Sequence, residues 1–364
     1  MRIPLLGLLG LSAFAQASDF EKADTILRAL KLKPGELVLI PRDPGYFDNM
    51  IEILDMQIKR AGAVSVMTEY SLKGQPRQGA SFRELLSNAD VFLWLPFRTA
   101  VREITPQETR DIARWTDMGG THRQVHFHWD QGSVEADGLP GKHTPQLDAM
   151  YGAALKIDYK ALAARQQKAA KLLTSGPVRV TTPEGTDIRF EIRERPFNRQ
   201  DGDATAARMQ HAKVRVDREI ELPAGVLRVA PLEETVNGTI VMPEARFGTQ
   251  VVKGLRLSFT NGRASSMIAS EGLAALQNEL QNAGDAALRF REFGLGFNPK
   301  LVPQQGRILP YFAYGAGMVR MSLGDNEELG GTVRGGGFRR WFFFPNATVT
   351  VGKRTLVRDG KVLP

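Results

Sequence analysis

The chain has 364 residues, 42% hydrophobic and 24% charged, and carries a formal charge of +8 from 48 basic and 40 acidic residues. That length exceeds one comfortable core, so two domains are expected, and the basic residues are spread along the chain without an aromatic-plus-basic module, which argues against a nucleic-acid partner. The absence of cysteine excludes disulfides, thiolate ligands and a lipidated cysteine.

The first residues, MRIPLLGLLGLSAFAQASDF, have Arg2 as a short basic start, an apolar run over 3–14 and small residues at Ala15 and Ala17. Residues 1–17 are therefore expected to be a signal peptide cut before Ser18, which implies a secreted or periplasmic protein. Nothing later approaches the length of a spanning helix, so no membrane contact is expected after signal removal.

From Lys33 the pattern gives a turn, an apolar strand, a Pro/Gly loop, an amphipathic helix, a stop at Gly62 and a strand at 64–68, which is a βαβ unit. A helix at 81–89, a strand at 90–97, a helix at 105–120 and a strand at 123–130 continue it. Residues 18–174 thus read as an α/β domain with an open, mostly parallel sheet. Its crevice beyond the strand ends is a place for a ligand, although no G-x-G-x-x-G fingerprint is present. A helix over 158–173 leads to the hinge-like Ser175-Gly176-Pro177. Residues 175–364 then turn β-rich, with strands at 177–185, 186–194, 226–231, 238–245 and 254–270, a helix at 271–281 and a closing hairpin at 346–363, an α+β domain.

Several stretches, in order and spacing, carry a likeness: LKPGELVLI, KRAGAVSV, TPEGTDIRFEI, LPAGVLRVAPLEETVNGTIV, GLRLSFTNGR and REFGLGFNP. Along nearly the whole mature chain the order resembles the aminopeptidase T and aminopeptidase S family of metallopeptidases. The resemblance implies a C-terminal domain with a paired-metal site that removes N-terminal residues from peptides. It also implies a homodimer.

Paired-metal hydrolysis needs carboxylate and imidazole ligands around two ions that activate one water. The family's first glutamate position holds Val226, which cannot coordinate; Glu233 and Glu234 are the nearest acids. The second matches Glu292 in REFGLGFNP. The family's histidine position holds Arg320, its tyrosine position falls near Glu327, and its last histidine and aspartate positions fall on Arg340 and Phe342. No histidine occurs after His211, so this region cannot supply imidazoles. Guanidiniums in their place put fixed positive charge where cations belong.

The candidate cleft is therefore Glu292, Arg320, Glu327, Arg340 and Glu233. One expectation is a degenerate site binding a peptide or an amino-acid-like molecule without metal. The alternative is a hydrolase that regroups these acids around zinc, cobalt or manganese. In HFHWD, His126, His128 and Asp130 project on one side of a strand; the segment reads as a strand with half-buried imidazoles, with metal binding left open. The glycine-rich stretch GGTVRGGGFRR reads as a surface loop or close-packed turn, with binding of a carboxylate by Arg334, Arg339 and Arg340 left open, and residues 341–344 read as a buried strand.

Overall fold

The structure is a computed structural model that describes residues 17–75, 77, 79, 81–129, 144–247, 250–303 and 313–364. The expected signal peptide, apart from Ala17, and Asp130 lie outside the described residues. Among the described residues no helix is long and apolar enough to cross a membrane.

Five parallel strands form the first sheet, in the spatial order Glu219–Leu222, Arg123–Phe127, Val91–Trp94, Leu37–Arg42 and Val64–Glu69. Val38, Leu39 and Ile40 are fully buried, as a parallel strand covered on both faces requires. The helices Asp19–Leu30 and Pro106–Asp117 begin with reciprocal caps, Ser18 with Glu21 and Thr105 with Glu108, each satisfying backbone N–H groups that the first turn leaves unpaired. The expected α/β half with a parallel sheet is present.

The later half is built on two antiparallel sheets. Five strands run in the order Arg339–Phe344, Val319–Gly324, Phe290–Gly296, Val226–Val229 and Asn198–Arg199. Eight run from Arg263–Ile268 through Gln250–Thr260 and Asn237–Phe247, which form a long hairpin, then Asp187–Phe190, Val178–Thr181, Thr348–Val351 and Arg354–Arg358, to Lys361–Val362. The helix Leu273–Ala283 packs on this hairpin. One strand from beyond the expected division at 174/175 returns to the first sheet: Glu219–Leu222 pairs with Arg123–Phe127. Shortly afterwards, Val226–Val229 enters the five-stranded sheet between Phe290–Gly296 and Asn198–Arg199, and a single buried cluster spans Val125, Ile220, Leu222, Val226 and Phe293. The crossing from one sheet to the other at 222–226 brings the polar face of the first sheet beside that of the second.

Candidate functional site

Strand pairing places Val226, Arg228, Glu292, Arg320, Ser322 and Trp341 on one face of the five-stranded sheet, because residues directly opposite or two apart share a side. The other face, with Leu227, Val229, Phe293, Met321 and Phe342, is buried apolar core. The aromatic run thus divides by alternation: Phe342 enters the core while Trp341 joins the polar face.

Glu292 is fully buried. Arg228 Nη2 lies 3.1 Å from its Oε2 and Arg320 Nη2 lies 2.6 Å from its Oε1, and Arg291 Nη1 donates to Oε2 as well. The register shift between Phe290 and Glu292 is a bulge, which lets the successive side chains of Arg291 and Glu292 serve one cluster. Burial opposes ionisation of Glu292, but Arg228, Arg320 and Arg291 outweigh it and hold the carboxyl well below the usual range. Glu328 joins the cluster through Arg291 and at 3.6 Å from Arg228 and 3.7 Å from Arg339. Donors nevertheless remain in excess. Among the described residues, Arg228 Nε, Arg320 Nε and Trp341 Nε1 are buried with no hydrogen-bond partner, as is Ser322 Oγ. Unpaired buried donors of this kind suit an anionic guest.

Of the residues grouped on sequence grounds, Glu292 and Arg320 meet and the other three do not. Glu233 binds Arg195 and accepts from Asn326 Nδ2 at 2.9 Å and Thr332 N at 2.7 Å, so it pins the 326–332 loop. Glu327 is 46% exposed and pairs with Arg334 at 2.9 Å, whereas its neighbour Glu328 turns inward. Arg340 takes the opposite side of its strand from Trp341, binds Glu279 (Nε to Oε1, 2.7 Å) and covers the Phe247 ring. Arg228, Arg291 and Glu328 belong to the cluster without having been expected there. Only Arg228 carries a visible signal, two places after Val226 on an alternating strand.

A second group lies on the first sheet. Glu221 stands opposite His126 in register, and His128 Nε2 contacts Glu221 Oε2. His126 Nδ1 lies 3.8 Å from Glu221 Oε1. Burial pushes His126 down to about 4. For Glu221 burial works against ionisation, yet His128, His126 and Arg228 bring it down to about 2. Half-buried Glu219 is pushed up to about 8 by burial beside Glu328 and Glu221. The charges of Arg228 and Arg339 act on His126 and Glu219 alike, so the two polar faces form one junction. Glu221 is absent from the residues grouped on sequence grounds, although the alternation of EIEL over 219–222 is a strand signature.

No family model matches the chain, and no curated protein matches it. Two solved structures share its fold over almost the full length. One is 2,5-dihydroxypyridine dioxygenase from Pseudomonas putida KT2440, with a TM-score of 0.63 and 15% identity over 95% of this chain and 98% of that one. The other is AmpT from Thermus thermophilus, with a TM-score of 0.62 and 16% identity over 95% of this chain and 99% of that one. At such identities the likeness establishes an aminopeptidase-like fold and nothing about individual residues.

Proposed function

We propose that this aminopeptidase-like fold binds a small carboxylate-bearing molecule of peptide or amino-acid type at the arginine-rich face, and does not hydrolyse peptides with a paired-metal centre. The observation that carries the reading is the enclosure of Glu292 by Arg228, Arg291 and Arg320, beside buried donors that lack partners. A carboxylate neutralised by three guanidiniums is a poor cation ligand, since a metal would have to displace charges that cannot be deprotonated. A guest carboxylate, in contrast, would satisfy the spare donors on the same face. The regrouped-acid alternative loses its support with Glu233 and Glu327 engaged elsewhere.

The test combines calorimetry of the mature chain against free amino acids and dipeptides with an aminoacyl-arylamide assay after loading with zinc, cobalt or manganese. Binding weakened at least tenfold in Arg228→Met, with no turnover, is expected. Two metals per chain together with hydrolysis abolished in Glu292→Gln would overturn the reading.

The proposal includes export. Protein recovered from the medium or periplasm of an expressing bacterium is expected to begin at Ser18 by intact mass. A mass that retains residues 1–17 would count against export by this signal.

A further inference from the structure

The histidine pair of the first sheet carries an inference independent of the arginine face, because none of its coordinating atoms comes from there. Gln124 and His126 share one face of the strand Arg123–Phe127, and Glu219 and Glu221 stand opposite them in register. One ligand atom from each of His126, His128 and Glu221 lies within 4.8 Å of the others. Ligands at metal bond lengths of about 2.0–2.2 Å stand roughly 3–3.5 Å apart, so small side-chain rotations bring the trio to coordination distance.

The hydrogen bonds beneath His126 orient its ring. Trp94 Nε1 contacts Gln124 Oε1; an indole nitrogen only donates, so that atom is the amide oxygen. Gln124 Nε2 in turn donates to Thr116 Oγ1. His126 Nε2 lies 3.1 Å from the same amide oxygen and must therefore carry hydrogen. In the neutral ring that leaves a lone pair on Nδ1, the atom 3.8 Å from Glu221 Oε1. Two acceptors face each other across a gap too long for a hydrogen bond, an arrangement that a cation between them would stabilise. A ring whose far N–H is held by an amide oxygen, with its near nitrogen turned to a carboxylate, is how proteins orient imidazole ligands.

We propose that His126, His128 and Glu221 form a mononuclear site for a divalent first-row transition ion, with its remaining positions open to the junction between the sheets. Two imidazoles and one carboxylate suit zinc, cobalt(II) and iron(II) and leave room for water or an anionic ligand. The side chains of His126, His128 and Glu221 are 17%, 19% and 12% exposed, enough for an ion to enter. Without an ion, His128 donates to Glu221; with one, that proton leaves or moves to the other ring nitrogen. Gln124 is a positioning residue for His126.

The test is cobalt(II) titration of the metal-free mature protein, followed by absorption and by metal analysis. One cobalt per chain is expected, with affinity falling at least a hundredfold in His126→Ala or His128→Ala and unchanged in His211→Ala. Gln124→Leu should lower Tm, because Trp94 Nε1 and Thr116 Oγ1 lose their partner, and should also weaken cobalt binding to the folded protein by about 10–100-fold, whereas a merely structural role would lower Tm and leave the affinity of the folded protein unchanged. Because a variant can fail to fold, 15N-imidazole spectra of the wild-type protein supply an independent readout: zinc should shift two of the five histidine rings. The proposal is overturned by wild-type protein that binds no stoichiometric cobalt. Binding that persists in folded His126→Ala and His128→Ala would overturn it equally.

Discussion

Glu292→Ala is expected to destabilise the protein by about 3–5 kcal/mol. The side chain is fully buried and faces Arg228, Arg291 and Arg320. Its removal leaves three guanidiniums in a low-dielectric space with Glu328 as the remaining neighbouring acid of the cluster. Guanidiniums cannot shed their charge to relieve the repulsion, and a loss of this size is a large part of a domain's total stability. Glu292→Gln keeps the shape but not the charge and should fall between wild type and Glu292→Ala.

The pH dependence gives a second check on the same residue. The folded carboxyl lies below its unfolded value near 4.5, so its contribution is complete above that value and is lost as pH falls through the depressed folded one. The urea midpoints of wild type and variant should therefore differ most above about pH 5 and converge as the solution is acidified. Equal midpoints at neutral pH would mean that the arginines do not depend on Glu292, and the account of the cluster would be wrong.

Gly317→Ala is expected to cost on the order of 3 kcal/mol, combining backbone strain with a collision. Gly317 has φ +87°, and a Cβ there would stand 1.7 Å from Gly360 O. The obstacle is backbone, so no rotamer change relieves it. The 315–318 turn feeds the strand that carries Arg320, so its displacement would disturb the polar face as well as the closing strands. Gly352→Ala is the control: its φ is +56° with nothing within 4 Å of the added atom, so only the conformational cost of about 1–2 kcal/mol remains. Thermal or urea denaturation of the two variants separates the contributions. A loss at Gly317 no larger than that at Gly352 would show that the two turns can move apart.

Much of the architecture is legible in the amino-acid sequence. Helix caps, glycine stops and the switch from helical to alternating periodicity mark the first α/β half and the β-rich second half, because those signals are local. The likeness to a known family pairs Arg320 with Glu292, and the two meet. The other three residues of that group lie elsewhere for geometric reasons. Adjacent residues on a strand face opposite ways, which separates Arg340 from Trp341, and one residue in a short turn decides that Glu328 points inward while Glu327 meets Arg334.

What the sequence determined by itself was the order of elements, the fixed positive charge of the arginines and the absence of imidazoles after His211. Those follow from residue identity and short-range periodicity. Only the tertiary structure decided which side chains share a site. The return of Glu219–Leu222 to the first sheet sets Glu221 against His126 across 95 residues of sequence. The bulge at Phe290 and Glu292 brings Arg291 to the carboxylate beside it. Both depend on strand register between distant segments, and register is set by the packing of whole sheets rather than by any stretch read alone.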